Sequence, residues 1–79
     1  MHAIFNNENA AIEFEAKIHA YLCAKRPGYK EQTKKWSDII KHQNQDLWAV
    51  ALPPEKIDGV YETVSNLDGW MLEEFFIAG

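Results

Sequence analysis

The stretch TKKWSDIIKHQNQDLWAVALPP, residues 33–54, predicts two short strands joined by a polar turn. β-branched and aromatic residues such as Trp36 and Ile40 before the turn, and Trp48 and Val50 after it, suit the pleated, half-buried surface of a strand. The six residues from 41 to 46 are all polar, as expected of a hairpin loop. A proline pair directly after Leu52 ends the second strand, because proline has no N–H for the ladder.

The register that places the apolar side chains of this hairpin on one face leaves a carboxylate among them. With Ile40 opposite Trp48, Asp38 lies opposite Val50, and Trp36 lies opposite Leu52. An unpaired buried charge costs several kcal/mol. The sequence therefore favours a bulge, a salt bridge or an edge position at Asp38, with a functional carboxylate as the alternative.

A first helix is predicted from Glu8 to Lys25. Apolar residues recur at the three- and four-residue spacing of one helical face, namely Ala11, Phe14, Ile18, Tyr21 and Leu22. Asn6 is the predicted N-cap, because an Asn side-chain oxygen accepts hydrogen bonds from the free backbone N–H groups of the first turn. Pro27-Gly28 ends the helix.

A second helix is predicted after the prolines, with Pro54 in its first turn and Gly59 inside it. Its apolar stripe consists of Ile57, Val60, Tyr61, Val64 and Leu67. Asn66 to Gly69 forms a stop signal in which Gly69 takes the left-handed position. Residues 70–79 are predicted to form an ordered tail, either a strand or a short helix.

These elements predict one α+β domain over residues 1–79, in the order α-β-β-α, with a central antiparallel hairpin and an ordered C-terminal tail. Two helices pack on one face of the sheet. Because two strands alone form a marginal sheet, a third strand is expected from residues 1–5, from the tail or from a second copy.

The composition favours a small domain with a dense aromatic core or a partner. A chain of 79 residues buries only about 60% of the surface that its unfolded form exposes. Its single cysteine, Cys23, excludes an intramolecular disulfide, and no apolar run has the length of a signal peptide or membrane span. A cytoplasmic protein that binds no membrane is therefore expected.

The net charge of −4 is distributed unevenly. Residues 25–41 carry six Lys and Arg residues against two acidic ones, whereas residues 54–79 carry six acidic residues against one Lys. Such asymmetry can steer a charged partner or align two copies of the chain.

No catalytic or metal-binding motif is present, so the sequence predicts a protein that is not an enzyme and has no cofactor or metal. His19 and Cys23 share a helical face at a spacing that fits a metal pair or a Cys–His couple, but further ligands are missing. Asp38, His42 and Asp46 cluster near the hairpin without a nucleophile tied to them, which favours solvated loop residues. A strongly shifted pKa in a concave pocket at Asp38 or His42 would favour an enzyme instead.

The basic segment of residues 25–41 supports an alternative function as a nucleic-acid-associated accessory protein. Basic residues beside Tyr29 and Trp36 could bind phosphates and stack on a base. The candidate contacts are Lys25, Arg26, Lys30, Lys34 and Lys35. The acidic balance of the whole chain argues against this function.

The apolar tail favours a protein-interaction module that self-associates, with a dimer as the simplest form. Six of the ten residues from 70 to 79 are large and apolar, more than a domain of this size can bury alone. The candidate partner-binding residues are Trp70, Met71, Phe75 and Phe76.

Four short features of the chain together resemble small uncharacterised proteins encoded by bacteriophages and prophages. They are the Asn-capped first helix, KKWSDIIKH before the loop, DLWAVALPP after it and WMLEE near the C-terminus. The resemblance spans most of the chain and brings no catalytic residues with it. It implies a stand-alone protein that acts by binding.

Overall fold

The computed structural model describes residues 1–29 and 35–73. Within these ranges the regular elements are β1 (His2–Phe5), α1 (Glu8–Lys25), β2 (Ile40–Lys41), β3 (Trp48–Ala51), α2 (Val60–Asn66) and β4 (Trp70–Leu72). The predicted α+β class and the order of helix, hairpin and helix are confirmed.

The sheet is antiparallel, with the strand order β2-β3-β1-β4. Residues 2–5 supply a central strand, which pairs Ala3 with Val50 on one side and with Met71 on the other. The tail supplies β4 at the edge. Further strands therefore come from two of the predicted sources, the N-terminal residues and the tail. The hairpin forms one side of the sheet, whereas it was predicted at the centre.

The predicted hairpin register is wrong by one residue. Ile40 lies opposite Ala49, and Lys41 lies opposite Trp48. Residues 36–39, which were predicted to be strand, lie outside the ladder, and Asp38 points into solvent, where its carboxylate is 2.7 Å from Lys35 Nζ. The shift removes the cost of burying a carboxylate that the predicted register implied.

α1 has the predicted bounds, but its N-cap is Asn7 instead of Asn6. The side chain of Asn7 accepts hydrogen bonds from the N–H groups of Asn9 and Ala10. At the other end, the N–H of Arg26 donates to the carbonyl of Leu22, and the chain turns away at Pro27.

α2 begins six residues later than predicted. Gly59 is its N-cap in the left-handed conformation, with φ of 75°, so a helix cannot run through it. Tyr61 is 66% exposed and does not belong to the buried stripe. At the C-terminal end, Asp68 and not Gly69 has positive φ, at 58°.

The core lies between one face of the sheet and the two helices. Phe5 and Val50 of the sheet pack with Phe14 of α1 and Val64 of α2, all almost fully buried. Trp36 and Trp48 are half-buried against this cluster. Ile4 and Ala49 alternate to the opposite face of the sheet and are buried as well.

Candidate interaction surface

β4 carries the predicted partner-binding residues that the structure describes. Trp70 is 39% exposed, and Met71 is half-buried against the core. Leu72, which was not predicted as a site residue, is 41% exposed. Side chains alternate along a strand, so Trp70 and Leu72 share the face opposite the helices. That alternation within Trp-Met-Leu was the signal that could have identified Leu72.

Two predicted partner-binding residues, Phe75 and Phe76, lie outside the described residues. The same holds for Lys30 and Lys34 of the predicted nucleic-acid contacts.

The described cations of the basic segment already make contacts within the chain. Arg26 forms a bidentate ion pair with Glu55. Lys35 is paired with Asp38, and the ammonium group of Lys25 lies 5.7 Å from the centroid of the Tyr21 ring. A phosphate would have to compete with these partners, which weakens the case for a nucleic-acid surface.

Arg26 is also enclosed by aromatic rings. Its guanidinium carbon lies 5.7 Å from the ring centroid of Tyr29 and 5.6 Å from that of Trp36, within cation–π range. The hydrogen bond from Arg26 lowers the pKa of the Glu55 carboxyl and raises the pKa of Arg26. This arrangement connects the end of α1 to the segment after β3.

Trp36 also connects α1 with the end of β3. Its backbone N–H donates to the carboxylate of Glu15 on α1, and its indole N–H donates to the carbonyl of Ala51 at the end of β3. Among the described residues of this segment, Trp36 and Arg26 therefore contact other parts of the domain.

The predicted Cys–His couple is brought together on α1. Cys23 Sγ and His19 Nε2 are 3.4 Å apart, and the His19 ring lies 5.4 Å from that of Tyr29. The Tyr29 hydroxyl and His19 Nδ1 are buried without a hydrogen-bond partner, and burial raises the pKa of Tyr29. No group of three or more possible metal ligands occurs among the described residues.

The polar residues near the hairpin do not converge into an acid–base site. His42 Nδ1 accepts a hydrogen bond from the N–H of Asn44, and Asp46 lies 3.9 Å from Lys41 Nζ. Asp38 is 85% exposed and is held by Lys35, which lowers its pKa. These contacts are those of a solvated loop.

A shallow groove of about 890 Å³ runs beside α2. Its lining is mainly apolar and includes Leu52, Pro53, Ile57 and Tyr61. Glu55 lines the groove, and its carboxylate is already paired with Arg26. Within the described residues, the groove lacks the convergent reactive groups of an active site.

Comparison of the chain with protein-family models, with curated proteins and with solved structures finds no match. In the described part of the chain, no helix has the length and apolar character needed to cross a membrane.

Proposed function

We propose that this protein is a non-catalytic protein-interaction module that self-associates through β4. The observation that carries the proposal is the pair formed by Trp70 and Leu72, two large apolar side chains exposed next to each other on an edge strand. Aromatic residues are enriched at the cores of protein interfaces, and a small domain gains most from burying such surface against a second copy.

The resemblance to phage and prophage proteins supports the further proposal that the protein is phage- or prophage-encoded and acts in the cytoplasm. The engagement of Glu55, Asp38 and the basic side chains in internal contacts supports a binding role over catalysis. Neither the self-associating module nor its proposed phage or prophage origin depends on a cofactor.

Sedimentation analysis from micromolar to millimolar concentration tests self-association. We expect a reversible increase in mass with concentration, and we expect the double variant Trp70→Ser/Leu72→Ser to remain monomeric. Tyr61→Ser is the matched control, because Tyr61 is an exposed aromatic residue on α2 instead of β4. A native chain that stays monomeric up to millimolar concentration would rule out the self-associating module.

The alternative, a nucleic-acid-associated accessory protein, makes a different prediction about salt. Binding to phosphates releases counterions and weakens steeply as salt is added. If single-stranded DNA or RNA oligonucleotides bind at low salt and Lys25→Ala/Lys35→Ala abolishes the binding, the alternative is favoured. Absence of binding at low salt would eliminate it.

A further inference from the structure

The two edges of the sheet differ in how they are protected from pairing. β2 consists of two residues and carries Lys41, and short strands with lysine are common means of keeping an edge unpaired. β4 consists of Trp70, Met71 and Leu72, with neither a charge nor a proline inside the strand. Among the described residues no strand pairs with the outer edge of β4, so by the same physical criteria it is the edge open to another strand.

The hydrogen-bond alternation fixes which backbone groups β4 presents outward. The N–H of Leu52 donates to the carbonyl of Met1 at 3.0 Å, so Met1 and, two residues on, Ala3 turn their backbone groups toward β3. His2 and Ile4 then face β4, where they pair with Leu72 and Trp70. The residue between these two, Met71, consequently directs its N–H and C=O to the free edge.

We propose that two copies of the chain join their β4 strands antiparallel about a twofold axis that passes beside Met71. This inference rests on the proposed self-association and specifies its geometry. Met71 lies opposite Met71 of the second copy, and Trp70 of each copy lies opposite Leu72 of the other. The two sheets become one continuous sheet with both helix layers on the same side.

This pairing satisfies the outward backbone groups without disturbing the bonds of the monomer. The two Met71 residues exchange two hydrogen bonds at the centre. The N–H of Glu73 can donate to the carbonyl of Gly69 of the second copy at each end. The reverse bond is not available, because the N–H of Gly69 already donates to the carbonyl of Val64 at the end of α2.

A second copy fits this edge because antiparallel pairing about Met71 places the exposed Trp70 of each copy opposite the exposed Leu72 of the other. The exposed Trp70 and Leu72 side chains of the two copies meet as one four-residue apolar cluster on the face opposite the helices. Three residues from each copy bury far less than the roughly 1,600 Å² of a standard interface. The dimer is therefore weak and exchanges rapidly.

The ends of this interface are acidic. In the proposed register, Glu73 of one copy lies opposite Gly69 of the other, next to Asp68; side-chain alternation places the two carboxylates on opposite faces of the sheet, and both residues are exposed. Like charges that lie closer than the Debye length, about 10 Å at 0.1 M salt, repel each other, and added salt screens the repulsion. Association through β4 should accordingly strengthen with added salt, which is opposite to the salt dependence of phosphate binding.

Met71→Pro tests the geometry, because proline lacks the outward N–H but is tolerated on an edge strand. We expect it to raise the dimer dissociation constant by about tenfold or more relative to Met71→Ala, which loses the same side-chain packing against the core but keeps the outward N–H. Lys41→Pro is the matched control, since Lys41 belongs to β2 and its N–H points outward at the opposite edge of the sheet. Met71→Lys places a charge at the centre of the pairing and should have the same effect as Met71→Pro.

Asp68→Asn should strengthen the association of the two copies. Asp68 has positive φ, which asparagine tolerates well, so the fold should be retained while the end repulsion is relieved. We expect an affinity about threefold higher at low salt, with the difference disappearing at high salt. An unchanged affinity at low salt would contradict the proposed register.

Hydrogen exchange of the Met71 amide separates the remaining outcomes. We expect fast exchange in dilute protein and protection that grows with concentration. Protection already present in dilute monomer means that the chain itself covers the edge, which overturns the inference. If Trp70→Ser/Leu72→Ser abolishes association but Met71→Pro does not, the copies pack face to face, so the edge geometry is wrong while the self-associating module stands.

Discussion

Gly69 lies where α2 ends and β4 begins, and it has no room for a side chain. A Cβ at this position would lie 2.5 Å from a ring carbon of Phe5 and 2.7 Å from the carbonyl oxygen of Ile4. Because a backbone oxygen and a core ring cannot both move freely, we expect Gly69→Ala to cost about 2–3 kcal/mol in unfolding free energy. Gly28→Ala is the control: its surroundings are open, and only its φ of 77° opposes a side chain, for about 1 kcal/mol. Urea unfolding of both variants measures the difference, and equal losses would contradict the steric reason.

The ion pair between Arg26 and Glu55 should make stability depend on acid pH. The pKa of Glu55 is lowered below its ordinary value of 4.5, chiefly by the hydrogen bond from Arg26, so its stabilising contribution is present above that value and is lost as the pH falls through the folded-state pKa. We expect Glu55→Gln to be less stable than the native chain at pH 7 and to approach it as the pH drops below 4.5. Glu62→Gln, at an exposed position in the first turn of α2, is the control. Urea unfolding at several pH values provides the comparison, and a constant gap would exclude this contribution.

At the scale of elements, the N-cap of α1 allows the clearest test of what the sequence left open. Three asparagines between residues 6 and 9 satisfy the same sequence signal, but only Asn7 accepts the first-turn N–H bonds. Asn7→Ala should lower the unfolding free energy by about 1 kcal/mol. Asn6→Ala, next to it and also exposed, should change it by less than about 0.5 kcal/mol. A larger effect at Asn6 would reassign the cap.

The sequence predicted the elements whose signals are repeated and missed those that depend on a single position. α1 has five turns of one apolar stripe and a Pro-Gly stop, so its bounds follow from local chemistry. α2 was extended too far because Ile57 fits its stripe, while the left-handed backbone of Gly59 overrides that fit. The predicted hairpin register placed Trp36, Ile40 and Trp48 on one face, whereas in the structure Ile40 pairs with Ala49. Asp38 pairs with Lys35 outside the ladder, a contact that no periodic pattern specifies.

The candidate site was partly predictable for the same reason. An excess of apolar residues in the tail identified Trp70 and Met71. The first residues of the tail form an edge strand beside residues 2–5. This is a long-range pairing, which no local pattern specifies. Leu72 therefore entered the site only once the strand and its alternation were known.

At the scale of the whole molecule, we expect one buried ring, that of Tyr29, and one half-buried ring, that of His2, to limit the pH range in which the fold is most stable. Burial raises the pKa of Tyr29 above 10.0, so its contribution is complete below that value and is lost as the pH rises through the folded-state pKa. Burial, with the nearby N-terminal charge, lowers the pKa of His2 below 6.5, so its contribution is complete above 6.5 and declines as the pH falls. We therefore expect urea unfolding midpoints to form a plateau between about pH 7 and pH 9.5 and to fall on both sides.

Tyr29→Phe should remove the alkaline decline without lowering stability at pH 7, because it deletes a buried hydroxyl that has no hydrogen-bond partner. His2→Gln should flatten the decline between about pH 6.5 and pH 5. If Tyr29→Phe retains the native alkaline decline, the transition belongs to the lysines and to the self-repulsion of an acidic chain instead of the phenol, and the plateau would then narrow as salt is removed.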